Sequence, residues 1–277
     1  MIGRVGVCSW SLQPESTRQL EDQLKACDIQ CVQLSLCPFI GNASDLMELQ
    51  RFVRDHDWTL CSGMMDTVGE DYASLERIKI TGGVRPDEHW DANLARAERC
   101  AEIAHQLGLK LVTLHAGFIP EDDKGLHDRM ADRICRIAEA FERYEIQLGL
   151  ETGQERAETL VELLSTIRSR ARVGVNFDPA NMILYAMGDP IQSTRLLSEH
   201  IVQVHMKDAI ETTTPGTWGE EVVAGRGQVE WDAFFDIVES LPQSVDVIIE
   251  REAGNQRTED VRAALELAKR QIERVRS

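Results

Sequence analysis

Short apolar runs rich in valine, isoleucine and leucine recur along the chain, and stretches with helical periodicity lie between them. Eight of these runs are continuously apolar rather than alternating, which is typical of parallel strands that are buried on both faces. The predicted strands are residues 5–10, 31–36, 59–65, 111–115, 148–151, 174–177, 201–206 and 247–250.

Several segments between these runs place apolar residues three or four positions apart, which predicts amphipathic helices. In residues 93–106, for example, Leu94, Ala97 and Ala101 share one face. The other predicted helices are residues 129–141, 159–167 and 260–275.

Strands that alternate with helices over the full length predict βαβ units and a parallel sheet. Eight units of roughly 30 residues match the size of a (β/α)₈ TIM barrel, an α/β fold. The first predicted strand is not followed by a GxGxxG turn, which argues against an open doubly wound sheet. Because there is no low-complexity linker, we predict one domain over residues 1–277, with active-site loops at 66–91 and 209–230.

Composition and charge narrow the class of partner. The chain has 43% hydrophobic and 28% charged residues, and its formal net charge is −17. That charge disfavours nucleic acid and anionic membranes as partners, because its long-range field repels polyanions. No stretch approaches the roughly 20 apolar residues of a membrane span. The segment MIGRVGVCSW lacks the features of a signal peptide and the seven cysteines include no CxxC pair, so we predict a cytoplasmic location.

Polar side chains end five of the predicted strands, where the catalytic groups of a (β/α)₈ barrel project. These residues are His115, Glu151, Asp178, His205 and Glu250. The intervals from Glu151 to Asp178 and from Asp178 to His205 are both 27 residues, close to one βα unit. We therefore expect these side chains on neighbouring strands at one level.

Three carboxylates and one imidazole at one level predict a metal site, because buried carboxylates without a compensating cation are costly. Glu151, Asp178, His205 and Glu250 would hold one divalent ion, and their mixed oxygen and nitrogen atoms suit Mn²⁺, Co²⁺, Zn²⁺ or Mg²⁺. Any one of these residues taken alone is equally consistent with a helix cap or a salt bridge.

Four motifs extend this pattern into a family resemblance: LETGQE, NFDPANM, VHMKD and GRGQVEW. From GVCSWSL to VIIERE, the sequence resembles the xylose isomerase-like TIM barrels, which include sugar and sugar-phosphate isomerases and epimerases such as the ketose 3-epimerases. The resemblance implies that Glu151, Asp178, His205 and Glu250 are the metal ligands.

The resemblance also implies a reaction. A metal-dependent isomerase or epimerase of a sugar, sugar phosphate or keto-acid would transfer a proton through an enediolate. Glu151 and Glu250 would be the catalytic acid and base on opposite faces of the substrate carbon. Two departures concern the substrate: Asn181 stands where many relatives carry histidine, and Arg226 stands between two glycines where the family often has glutamate.

Five residues are predicted to contact a carbohydrate substrate, and each also has a structural interpretation. They are Trp10, His115, Asn181, Lys207 and Arg226. Lys207 is equally consistent with an ion pair to Asp208, Arg226 with a solvated loop, and Trp10 with a packed core indole. Trp218 is a weaker candidate for part of a lid.

Three other functions remain open at this point. The first is a dehydratase of a keto-sugar or keto-polyol on the same scaffold. The second is an endonuclease-IV-like nuclease, which the net charge and the seven histidines disfavour. The third is a non-catalytic sugar-binding protein. Barrels of this kind often associate, so a homo-oligomer is an expectation as well.

Overall fold

Eight parallel strands close into a barrel in the computed structural model, which describes residues 1–56 and 58–277. The barrel strands are β1 (Ile2–Cys8), β2 (Cys31–Ser35), β3 (Thr59–Met64), β4 (Leu111–Leu114), β5 (Gln147–Glu151), β6 (Val173–Phe177), β7 (Ile201–Met206) and β10 (Val245–Ile249). Each strand pairs with the next in this order, and β10 pairs with β1. The predicted (β/α)₈ fold is confirmed.

Helices surround the barrel and bury one face against it. They are α1 (Thr17–Cys27), α2 (Ala43–Asp55), α3 (Leu75–Thr81), α4 (Trp90–Gln106), α5 (Lys124–Glu142), α6 (Ala157–Ile167), α7 (Pro179–Leu184), α8 (Pro190–Leu197), α9 (Trp231–Ser240) and α10 (Arg257–Arg276). None of the helices in the described part of the chain is long and apolar enough to cross a membrane.

Helix α5 illustrates why the sequence folds this way. The Asp123 side chain accepts a hydrogen bond from the Leu126 amide and so caps the first turn. Met130, Ile134 and Ile137 then recur on one face and are fully or almost fully buried. Burial of that stripe against the barrel stabilises the helix more than its intrinsic propensity does.

The two predicted loops contain regular structure. Residues 66–91 include α3 and the first two residues of α4, and residues 209–230 include most of a short hairpin of β8 (Asp208–Ile210) and β9 (Glu220–Val222). The hairpin escapes prediction because its strands are short and lack an apolar run. A single carboxylate, that of Asp208, organises it by accepting hydrogen bonds from the backbone amides of Gly225, Gly227 and Val229.

Candidate metal centre

The four predicted ligands lie together at the carboxyl ends of four neighbouring strands. Glu151 ends β5, Asp178 follows β6, His205 lies near the end of β7 and Glu250 follows β10. One potential ligand atom from each lies within 4.8 Å of the others, and all four residues are at most 5% exposed. The geometry is that of the predicted centre, and the role as metal ligands stays a prediction.

Two side-chain amides and an imidazole surround the Glu151 carboxylate. The side-chain amide of Asn181 donates to Glu151 Oε1 over 3.1 Å, and that of Asn176 donates to Oε2 over 3.3 Å. The Nε2 atom of His115 lies 3.5 Å from Oε1. Burial would raise the pKa of Glu151, but His115 and His205 outweigh it, so the pKa lies below its usual value.

A lysine and a tryptophan hold Glu250. Lys207 Nζ donates to Glu250 Oε2 over 2.7 Å, and Trp10 Nε1 donates to Oε1 over 2.8 Å. Burial would raise the pKa of Glu250, but Lys207 and His205 outweigh it and hold the pKa well below its usual range. Trp10 therefore contacts the site through its indole N–H and is not simply a packed core residue.

Lys207 does not pair with Asp208, so that alternative is wrong. Its ammonium also donates to Glu252 Oε2 over 2.9 Å and lies 3.3 Å from Asp178 Oδ2. The Asp208 carboxylate is instead held by the hairpin amides and by Trp231 Nε1. Lys207 follows β7 and Asp208 begins β8, and the two side chains have separate partners.

Two buried atoms at the centre of this group have no hydrogen-bond partner among the described residues: His205 Nδ1 and Asp178 Oδ2. His205 Nε2 lies 2.7 Å from Gln33 Oε1 and 3.0 Å from the side-chain nitrogen of Asn176, and Nδ1 faces Glu151 and Glu250 over 3.3 and 3.4 Å. Asp178 Oδ1 caps α7, which leaves Oδ2 directed into the site.

The unpartnered atoms fit a bound cation. Buried polar atoms normally have partners, because leaving them unpaired costs free energy. Burial raises the pKa of Asp178 to about 7. Burial would lower the pKa of His205, but Glu151 and Glu250 outweigh it and raise that pKa well above its usual value. Both groups thus attract a positive charge, and three carboxylate oxygens with one imidazole nitrogen suit a divalent metal.

A buried polar layer beneath the centre was missed in the sequence. Gln33 Nε2 donates to Thr113 Oγ1 over 2.8 Å, and Gln203 Nε2 donates to Asn176 Oδ1 over 3.2 Å. Ser62 Oγ completes the chain by donating to Gln203 Oε1 over 2.6 Å. The available signal was a polar residue inside an otherwise apolar strand, as in CVQLS, VGVNF and IVQVH. These residues fix the orientation of Asn176 and His205.

A cavity of about 270 Å³ opens beside Glu250 at the mouth of the barrel. Its lining residues are Trp10, Ser35, Met64, Met65, Asp66, Glu70, Tyr72, His115, Glu250 and Glu252. Trp218 packs near the mouth, with its ring 5.0 Å from that of Tyr185 and 6.5 Å from that of Tyr72. Arg226 is exposed after β9 and is not among the described residues that line the cavity.

Comparison with known proteins identifies the family. The model of the xylose isomerase-like TIM barrel family matches residues 9–271. The structure of a xylose isomerase domain protein from Planctomyces limnophilus is 25% identical, with a TM-score of 0.89 over 99% of this chain and 98% of that one. The structure of an L-ribulose 3-epimerase is 13% identical, with a TM-score of 0.75 over 100% of this chain and 96% of that one, and this likeness concerns the fold.

A curated relative matches a smaller part of the chain. The 3-oxo-isoapionate decarboxylase of Pectobacterium atrosepticum is 28% identical over 120 residues, which are 42% of this chain and 42% of the relative. The match thus spans less than half the length of the curated relatives. Solved structures with this fold, 15% and 16% identical, contain magnesium in one case and zinc in the other.

Proposed function

The chain belongs to the xylose isomerase-like TIM barrel family, and from that membership we propose that it is a divalent-metal-dependent sugar isomerase or epimerase. One observation carries the proposal: among the described residues, His205 Nδ1 and Asp178 Oδ2 are buried and have no hydrogen-bond partner, and they lie beside Glu151 and the cavity-lining Glu250. A purely structural cluster would satisfy its own hydrogen bonds.

Glu151, Asp178, His205 and Glu250 would hold the ion. When bound, a divalent metal supplies Lewis acidity to a substrate carbonyl and the neighbouring hydroxyl, which makes the carbon-bound proton between them more acidic. Asp178 and His205 serve mainly to hold the ion, because Asp178 Oδ1 is committed to the cap of α7 and His205 Nε2 to Gln33.

Glu151 and Glu250 move the proton. Their pKa values lie below the usual glutamate value, so both are ionised and able to accept a proton near neutral pH. In an epimerase, one carboxylate removes the proton from one face of the substrate carbon and the other, once protonated, returns a proton to the opposite face. In an isomerase, a single carboxylate carries the proton between neighbouring carbons. His115, 3.5 Å from Glu151, and Trp10, bonded to Glu250, are placed to contact substrate hydroxyls.

The direct test is a screen of ketoses and keto-acids in heavy water with saturating Mn²⁺, Co²⁺, Zn²⁺ or Mg²⁺. We expect deuterium uptake at the carbon beside the carbonyl, detected by NMR and mass spectrometry, and loss of that uptake after chelation. The double variant Glu151→Gln/Glu250→Gln should lose uptake, whereas Asp66→Asn, which changes a carboxylate at the cavity rim, should retain it.

Product analysis separates the alternatives on the same scaffold. A product lighter by one water would replace the isomerase proposal with a dehydratase, and release of carbon dioxide would replace it with a decarboxylase. Binding of sugars without exchange under all four metals would leave only a sugar-binding protein.

A further inference from the structure

We propose that Glu252 makes this site selective for uncharged substrates, because its carboxylate lines the cavity and covers the buried Lys207 ammonium. The inference rests on the proposed function, in that it names the substrate class of the same site. A phosphate or carboxylate group of a substrate would need the place that Glu252 already holds.

The contacts of Lys207 carry the first step. Its side chain is 3% exposed, and Nζ lies 2.7 Å from Glu250 Oε2, 2.9 Å from Glu252 Oε2 and 3.3 Å from Asp178 Oδ2. Two of these carboxylates belong to the metal centre and are buried, whereas the Glu252 side chain is 54% exposed. Glu252 is thus the partner of Lys207 that reaches both the cavity and the solvent.

The backbone of Glu252 is held from two directions. Its amide donates to Glu221 Oε1 over 2.9 Å, and the next amide, that of Ala253, donates to Glu221 Oε2 over 3.1 Å. Glu221 is in turn paired with Arg251 over 2.7 Å, and Arg257 contacts the Glu252 carbonyl. The hairpin and the segment after β10 therefore fix the Glu252 carboxylate over Lys207, so that it stands where a ligand anion would bind.

The described residues of the cavity wall include four carboxylates, those of Asp66, Glu70, Glu250 and Glu252, and no lysine or arginine. The basic side chain among them is His115, whose Nε2 already lies 3.5 Å from Glu151 Oε1. Carboxylates accept hydrogen bonds from sugar hydroxyls but repel phosphate and carboxylate groups. A neutral polyhydroxylated ketone matches this wall, and its phosphorylated or acidic counterparts do not.

The test uses a ketose that shows deuterium exchange and the same ketose phosphorylated at its terminal carbon. For the wild type we expect kcat/KM to favour the free sugar. In Glu252→Gln, which keeps the size but removes the charge, the ratio should move toward the phosphate by about tenfold or more, because Lys207 becomes available. Asp66→Asn removes one negative charge from the same cavity and releases Arg96 rather than Lys207. Because Arg96 is not among the described residues that line the cavity, the ratio of this variant should stay close to the wild-type value.

A second measurement does not depend on catalysis. Inorganic phosphate is titrated calorimetrically into the Mn²⁺-loaded wild type, Glu252→Gln and Asp66→Asn proteins, with folding checked by circular dichroism. Phosphate should bind Glu252→Gln about tenfold or more tightly than the other two, and the further change Lys207→Met should abolish the gain. Phosphate that binds the metal itself would do so equally in all three.

The outcomes separate the two proposals. If no ketose exchanges but phosphate gains affinity only in Glu252→Gln, the proposed function fails and the role of Glu252 stands. If a ketose exchanges but the wild type prefers its phosphate, or Glu252→Gln behaves like Asp66→Asn in both measurements, the selectivity proposal is overturned and the proposed function stands.

Discussion

The two glutamates of the centre occupy contrasting surroundings. Glu151 is held by the amides of Asn176 and Asn181 and approached by His115, whereas Glu250 is held by the ammonium of Lys207 and the indole of Trp10. A permanent charge disfavours protonation of Glu250 more than neutral amides disfavour protonation of Glu151. The pKa of Glu250 lies well below its usual value and that of Glu151 is only lowered, which agrees with this difference.

This contrast suggests that the two proton-transfer groups differ in basicity. Glu250, beside the permanent charge of Lys207, is the harder of the two to protonate, and Glu151, held by amides and approached by imidazoles, is the easier. The predictions below test that difference.

The largest effect on the rate of epimerisation is expected from neutralising either of the two glutamates. Glu151→Gln and Glu250→Gln should each lower the rate of epimerisation about 10³-fold, because each removes a proton-transfer group. If the two carboxylates act on opposite faces, each variant should still exchange the proton of one epimer in heavy water, and the two variants should retain opposite epimers. NMR of each epimer separately gives this measurement.

Asp66→Asn is the matched control for these substitutions, since it neutralises a carboxylate of the same cavity outside the ligand group. Identical exchange profiles in the two glutamine variants would contradict the two-face mechanism and indicate that both residues act only through the ion.

The next effect concerns His205, whose Nδ1 lies near both Glu151 and Glu250. Gln33→Leu removes the acceptor of the His205 Nε2–H and should weaken Mn²⁺ binding about 10- to 100-fold, because the tautomer that presents Nδ1 is no longer fixed. Calorimetry gives the affinity, and ¹⁵N NMR of the imidazole reports the tautomer. Cys8→Ala changes a weaker neighbour, 3.7 Å from Nε2, and should leave both readouts nearly unchanged. Unaltered affinity in Gln33→Leu would show that packing alone orients His205.

The four proposed metal ligands were predictable from the sequence, but the buried polar residues that orient them were not. Glu151, Asp178, His205 and Glu250 each follow or end an apolar run, so the βα repeat places them at one edge of the barrel. Gln33 was missed because a strand buried on both faces shows no alternation, and the face toward the barrel interior cannot be distinguished from the face toward the helices.

The errors around the site have related causes. The pairing of Lys207 with Asp208 failed because the chain passes from β7 to β8 between them and gives each side chain its own partners, whereas the observed partner Glu252 follows another strand. The residues after β10 are placed by the hairpin, whose short strands carry no pattern that would predict them.

A smaller effect is expected from removing one hydrogen-bond donor to Glu151 or one to Glu250. Asn181→Ala removes a donor from Glu151 and should lower kcat about tenfold, because a hydrogen bond to a buried carboxylate is lost. Trp10→Phe removes the donor to Glu250 and should cost about fivefold, because the ammonium of Lys207 remains. Steady-state kinetics with saturating metal measure both. A greater loss in Trp10→Phe would reverse the proposed contrast.

The smallest effect concerns a second buried carboxyl group on the Glu151 side. Glu155 is buried there, and burial together with the charge of Glu151 raises its pKa to about 8. Between the ordinary glutamate pKa and this raised value, the unfolded chain loses the proton that the folded chain keeps. Stability is therefore lost as the pH rises through that interval.

Glu155→Gln removes the titration, so its melting temperature in metal-free buffer should exceed the wild-type value by on the order of 5 °C at pH 8.5 and by little at pH 5. Glu158→Gln, an exposed glutamate three residues later, should follow the wild type at both pH values. A constant difference between Glu155→Gln and the wild type would show that Glu155 is ionised in the folded protein, with a partner for its charge.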